Sequence, residues 1–224
     1  MGMMKRITDP YSAVESYSYD RWIAPGVERL TRQLGERLFD SLPPGGGVLD
    51  VGCGGGHLTR NVAEHRPDAK LVGLDLSPDQ VRRARRRADR EGKRIEYVEG
   101  SALDLPFADA SFDTVISVGS IKHWPDRRRG VAECVRVLRP RGLLLIGEAD
   151  RSCRLDDVRN FVAEWPLPRP ARALAVPFFR TWVAGQSLDL EEARDALGGH
   201  GLVETSVARV EGLPVFLMEG RRPG

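Results

Sequence analysis

The stretch Val48-Leu-Asp50-Val-Gly52-Cys-Gly54-Gly-Gly56 decides the fold. An apolar run ends in an acid, opens into alternating glycines, and continues as a helix to about His65. Glycine permits positive φ and leaves no Cβ between the backbone and a ligand. A helix N-terminus placed just after such a turn offers unpaired N–H groups to an anionic group such as a carboxylate. The spacing is Asp-x-Gly-x-Gly-x-Gly, not the Gly-x-Gly-x-x-Gly of nicotinamide and flavin proteins. That difference counts against a nicotinamide-dependent oxidoreductase.

A second acid follows downstream. Lys70–Leu76 reads as a strand, and Asp75 stands at its end, where a Rossmann-type sheet lets a carboxylate accept hydrogen bonds from ribose hydroxyls. Ser77-Pro78-Asp79-Gln80 then combines a Ser…Gln capping box with proline at the first helical position. Arg94–Val98 and Phe112–Val118 read as strands three and four. Asp126–Leu138 reads as a helix stopped by Pro140 and Gly142, and Leu143–Gly147 as a fifth strand buried on both faces. Upstream, Pro25 can open a helix whose stripe is Val27, Leu30, Leu34 and Leu38, with Pro43–Gly47 ending it.

Alternating strands and helices predict an α/β fold, a doubly wound, mostly parallel sheet with its ligand at the carboxyl ends of the strands. The rhythm breaks at residues 152–186. Four prolines and the large apolar residues Phe161, Trp165, Phe178, Phe179 and Trp182 suggest an irregular or helical insertion there. Asp189 is placed to cap a helix through Leu197, and Leu202–Val210 with Pro214–Glu219 reads as an antiparallel hairpin. One domain is expected over 1–224. It divides into an N-terminal helical cover at 1–42, a cofactor-binding core at 43–150, a substrate-side insertion at 151–187, and a helix with the terminal hairpin at 188–224.

In order along the chain, VLDVGCGGG resembles motif I of class I S-adenosylmethionine-dependent methyltransferases and LVGLDLS their second motif. Tyr97–Phe107 resembles their adenine-side segment, Ser111–Ser117 their fourth-strand motif, and Glu133–Gly142 the helix and turn into the fifth strand. The closest flavour is the group of small-molecule enzymes that includes the quinone-biosynthesis C-methyltransferases. The resemblance implies a Rossmann-like seven-stranded sheet with a C-terminal antiparallel hairpin. It also implies S-adenosyl-L-methionine as cofactor and S-adenosyl-L-homocysteine as product. Asp50 and the backbone at Gly52, Cys53 and Gly54 would hold the methionine portion. Asp75 would bind the ribose, Leu76 would pack on the adenine, and Ser101 and Ala102 would line the adenine edge. Many relatives carry aspartate where Ser101 stands, which leaves the adenine contact open. Ser117 would lie at the mouth of the fourth strand, near the reactive methyl group.

A sulfonium methyl group is already activated, so in-line alignment of the acceptor is the main task, and such positioning contributes ~7–11 kcal/mol. A general base, worth ~10²–10⁴-fold, matters where the acceptor must lose a proton. His123, in Ser120-Ile-Lys-His-Trp-Pro-Asp126, follows the fourth strand, and histidine is the residue type that ordinarily titrates near neutrality. It reads equally as that base or as a residue that packs on the cofactor. Trp124 reads as a pocket-shaping residue. Tyr11, Tyr17, Tyr19, Trp22 and the insertion would cover the acceptor, favouring a hydrophobic or aromatic small molecule.

Composition narrows the alternatives. The 34 basic and 32 acidic residues leave a net charge of +2, and the run Arg82–Arg94 includes Asp89 and Glu91 without interleaved aromatics. That argues for a solvated helix face and against a nucleic-acid partner, although an rRNA or tRNA methyltransferase stays open as an alternative. A non-catalytic S-adenosylmethionine-binding protein is the other. The Asn/Asp-Pro-Pro-Tyr/Phe motif of base amino-methylation is replaced by Ser117-Val-Gly-Ser, and the Pro-Cys of cytosine C5-methylation does not occur. Metal-dependent catechol-type methylation would want aspartate near position 117, so no metal is expected. The cysteines Cys53, Cys134 and Cys153 form no CxxC pair, against a disulfide framework or zinc site, and Cys134 falls at core spacing. No apolar run or leader pattern predicts membrane insertion, so the expected location is the cytoplasm. Oligomeric state is not legible in the sequence.

Overall fold

A computed structural model describes Gly35, residues 38–165 and residues 167–224. The expected helix from Pro25 and the aromatic residues Tyr11, Tyr17, Tyr19 and Trp22 fall outside these, apart from the helix's end: residues 38–41 are helical and Leu38 is buried.

Beyond that point, strands β1 (Gly47–Val51), β2 (Lys70–Asp75) and β3 (Ile95–Glu99) are separated by helices α1 (His57–His65) and α2 (Pro78–Arg90). Strand β4 (Phe112–Val118) leads through a short 3₁₀ turn (Ile121–His123) to α3 (Arg127–Val137) and β5 (Leu138–Ala149). Helices α4 (Leu155–Ala163), α5 (Arg169–Phe178) and α6 (Leu190–Leu197) precede the hairpin of β6 (Val203–Arg209) and β7 (Val215–Arg221).

The seven strands form one sheet in the order β3-β2-β1-β4-β5-β7-β6. Pairs from β3 through β5 are parallel, and β7 runs antiparallel between β5 and β6. The expected doubly wound sheet and terminal hairpin are therefore present. The chain winds outward from β1 to β3, then returns to lay β4 on the other side of β1. This is a topological switch point, and the crevice beyond its strand ends is the natural ligand site of the architecture.

The strand periodicity of two divides the core between the faces of the sheet. Val48, Leu143 and Leu145 join a cluster with Leu58, Val62, Val158 and Phe161. Their neighbours Leu49, Leu144 and Ile146 join the opposite cluster with Val131, Cys134 and Phe216. Each such side chain, fully buried, stabilises the fold by roughly 1.5–3 kcal/mol.

Local signals fared unevenly. Asp189 caps α6 with a full capping box, its side chain accepting from Glu192 N while Glu192 accepts from Asp189 N. Ser77 forms no such box: its side chain makes no capping bond, and its own N–H donates to Asp75 Oδ1 at 2.8 Å. Pro78 and backbone geometry open α2 without it. The fifth strand is also longer than the expected 143–147. Leu138 already pairs with Phe112, and a register shift at 139–142, with Arg141 at φ 65°, makes Pro140 and Gly142 a bulge rather than a boundary. The insertion is helical. Pro177 sits inside α5, and the chain widens into a π-helical turn at Phe179–Ala184, consistent with the missing proline donor.

Candidate cofactor and acceptor site

The glycine turn is built by backbone conformation and close approach. Gly52 has φ 74°, and a Cβ there would lie 1.9 Å from Ser120 Oγ. Gly54 has φ 52°, but its nearest neighbour to a hypothetical Cβ is Gln80 Nε2 at 3.9 Å, so this position faces open space. Glycine at 52 lets two chain segments touch; glycine at 54 leaves room for a ligand. Leu74 O accepts from both Gly52 N (2.7 Å) and Cys53 N (3.0 Å), which ties the turn to β2.

Two acids frame the turn. Asp50 is buried at the end of β1 and accepts from Thr59 Oγ1 at 2.6 Å. Burial pushes its carboxyl up to about 7; the Thr59 bond opposes the rise and the Asp75 charge adds to it. Asp75 accepts from Gly54 N and Ser77 N, each at 2.8 Å, so one carboxylate clamps the glycine turn to the start of α2. Burial raises its pKa against the pull of those two N–H groups. Cys53 lies between the acids with its thiol held well above the usual range by burial, then by both carboxylates, which keeps it neutral.

One cavity at the switch point gathers most of the expected residues. Asp50, Gly52, Cys53, Gly54, Asp75, Leu76, Ser101, Ala102 and His123 all line it. Leu76 is half exposed there, as an apolar surface for a flat ring would be. Ser101 Oγ accepts from Leu103 N at 3.1 Å, and its hydroxyl retains a proton and a further lone pair. His123 closes the 3₁₀ turn through its N–H to Ser120 O at 2.8 Å. Trp124 forms the adjoining wall, its Nε1 donating to Ser120 Oγ at 3.0 Å and its ring against Gly130, where a Cβ would meet it at 2.3 Å.

Ser117 does not reach the cavity. It is fully buried within β4 and donates to Val51 O at 2.7 Å, because its place in the pleat points it at β1; Val118, Gly119 and Ser120 take the mouth instead. None of the insertion's described residues lines the cavity either. Phe161, Trp165 and Phe179 pack against one another at ring-centroid distances of 5.2–6.4 Å, while Phe178 and Trp182 face outward.

Sequence reasoning missed Gln80. Its side chain lines the cavity, it is buried, and its Oε1 has no hydrogen-bond partner among the described residues. A buried amide oxygen left unpaired is costly, so it marks where a ligand donor belongs. The signal was its place in the first turn after Asp75, which the capping-box reading had absorbed. Among the described residues, no group of three His, Cys, Asp or Glu side chains is arranged to hold a metal ion.

The donor set suits S-adenosylmethionine. Open space at Gly54, the Asp75 carboxylate, the unpaired Gln80 oxygen and the apolar Leu76 and Ala102 match a ligand with ammonium, hydroxyl and flat aromatic parts.

Comparison with known proteins agrees. Residues 49–146 match the family model described as a methyltransferase domain. The chain is 40% identical over 144 residues to methyltransferase GfsG of Streptomyces halstedii, covering 63% of this chain and 51% of the relative. It is 38% identical over 159 residues to 2-methyl-6-phytyl-1,4-hydroquinone methyltransferase 1 of Oryza sativa subsp. japonica, covering 68% and 46%. The chain thus spans about half the length of the curated relatives it matches. Among solved structures, a SAM-dependent methyltransferase from Aquifex aeolicus shares the fold with a TM-score of 0.64 at 15% identity, covering 95% of this chain and 99% of that one. The [4+2]-cyclase SpnF does so at 0.65 and 20% identity, covering 87% and 80%. Residues 49–146 thus match the methyltransferase-domain family, and the motif order, sheet topology and cavity agree with that match.

Proposed function

We propose that this chain transfers a methyl group from S-adenosylmethionine to an O, N or C atom of a small-molecule acceptor, by in-line displacement. The observation that carries the reading is one cavity at the β1–β4 switch point joining the glycine cradle, Asp75 and the unpaired Gln80 oxygen to the His123–Trp124 wall. When bound, S-adenosylmethionine supplies a methyl group already activated on a sulfonium. Asp75 and Gln80 would accept from its hydroxyls or ammonium, while Leu76 and Ala102 pack on the adenine and Ser101 bonds its edge. Asp50 would face the ammonium, whose positive charge would favour its ionised form. Ser120, His123 and Trp124 would position the acceptor, and His123 Nε2 or Nδ1 would take the acceptor's proton where it must lose one.

No metal is required in this reading: position 117 carries no carboxylate, and the serine hydroxyl there is committed to Val51 O. Relatives are named for erythromycin, 27-O-demethylrifamycin SV and a hydroquinone, and the apolar Leu58, Leu76 and Trp124 favour a hydrophobic or aromatic acceptor here. Residues 1–224 are read as one methyltransferase domain, with 43–150 as the cofactor core. Three unpaired, buried cysteines suit a reducing compartment, the cytoplasm.

Titration calorimetry with S-adenosylhomocysteine tests the donor half. Wild type should bind, and Asp75→Ala should bind at least ~10-fold more weakly; equal affinities would remove the reading. Transfer of labelled methyl from S-adenosylmethionine to a panel of phenols and hydroquinones tests the acceptor half. His123→Ala should lower turnover ~10²-fold or more at saturating acceptor, and unchanged turnover would leave His123 a packing residue.

A further inference from the structure

Helix α5 and the π-turn after it are apolar on two sides. Ala175, Phe179 and Ala184 are buried on the core that contains Phe161 and Trp165. On the other side Leu174, Phe178 and Trp182, spaced by four, are 75%, 52% and 63% exposed. They are three of the five large apolar side chains exposed among the described residues, and Pro170, Ala173 and Pro177 continue the same outward stripe. A run of large apolar side chains left exposed on one side of a helix marks a contact surface, so the outer side calls for an occupant.

The charge pattern selects it. From Trp165 to Leu188 the chain carries Arg169, Arg172 and Arg180 and no acidic residue. Arg169 and Arg180 are exposed, while Arg172 is half-buried and donates to Leu167 O. The acids that flank this segment along the chain are Glu164 at the end of α4 and Asp189 at the start of α6, and Asp189 is already paired with Arg151. A second copy of the chain is the weaker occupant. At roughly 150–250 Å² per large side chain, the three exposures amount to a few hundred Å², about half of the ~800 Å² per partner in a standard interface.

We propose that this outer side of α5 and the π-turn is a membrane-docking surface, laid on the headgroup region of an anionic bilayer with Leu174, Phe178 and Trp182 inserted and the arginines against lipid phosphates. Leu, Phe and Trp beside Arg is the composition of helices that lie in the interface plane. No helix of the described residues is long and apolar enough to cross a membrane, so the contact is superficial and reversible. None of the stripe's residues lines the cavity.

Co-sedimentation of the full chain with vesicles of phosphatidylglycerol and phosphatidylcholine, against phosphatidylcholine alone, tests the proposal. Wild type should pellet with the anionic vesicles at low salt, and less with the neutral ones. Leu174→Ser/Phe178→Ser/Trp182→Ser should remain in the supernatant with unchanged S-adenosylhomocysteine affinity, which shows that it is folded. Arg169→Gln/Arg180→Gln should lose about 10-fold or more in vesicle partitioning at low salt. Wild type that stays in the supernatant, or a triple variant that pellets equally, overturns the proposal. So does wild type that dimerises through the stripe without binding lipid.

Discussion

The glycine turn with Asp75 and the α5 stripe are both places where the chain meets something outside itself, yet they are built in opposite ways. The turn is written in backbone: positive φ at Gly52, Gly54 and Gly56, and carboxylates with fixed N–H partners. The stripe is written in side-chain surface on a helix already supported by its inner side. Polar recognition requires every donor and acceptor to be placed, so one atom's displacement matters. Apolar recognition sums over area, so no single residue decides it.

Gly52→Ala should break the first region most severely. Its Cβ would overlap Ser120 Oγ at a positive φ, a combined cost of about 2–6 kcal/mol, visible as a lower Tm and lost S-adenosylhomocysteine binding. Gly54→Ala sharpens the contrast within the same turn, since the space there is open. Binding should fall ~10-fold or more while stability drops by only ~1 kcal/mol; parallel losses of both in Gly52→Ala and Gly54→Ala would erase the distinction.

The pH dependence comes next in size. The Asp50 carboxyl, at about 7 in the folded chain, ionises near pH 4 when unfolded. Between those values the folded state holds the extra proton, so Asp50's share of stability is present at low pH and is lost as pH rises towards 7. Asp75, also raised, acts in the same direction. Urea unfolding at pH 5 and pH 8 should show a smaller decline for Asp50→Asn than for wild type; an identical slope would remove the assignment. The smallest effect belongs to the C-terminal region. Asp189→Ala removes the α6 cap and should cost ~1 kcal/mol in thermal unfolding, with ligand affinity unchanged.

Sequence patterns carried the sheet and most of the residues that line the cavity because both rest on short-range rules. An apolar strand, a glycine turn and an acid at the next strand end fall within 28 residues, Val48 to Asp75. Asp189 was legible for the same reason, its box closing within α6's first turn. Ser77 presented the same local pattern and misled, because Asp75 captured its N–H and left Gln80 to the cavity. Ser117 failed because one step in the strand pleat separates the cavity from the β1 contact. The β5 bulge needed a long-range partner to be seen: Arg222, at the end of β7, bonds the carbonyls of Arg136 and Leu138 and accepts from Arg141 N. Where the insertion packs was likewise a tertiary matter.

The contact between Gly52 and Ser120 has a consequence for redesign. In the proposed function, donor floor and acceptor wall meet there with no spare volume, so the two positions can only drift as a pair. An engineer who enlarges Ser120 to narrow the acceptor side would deform the donor side and misread the result as a specificity change. Pro125, which lines the cavity farther along the same loop, is the safer place to remodel acceptor preference.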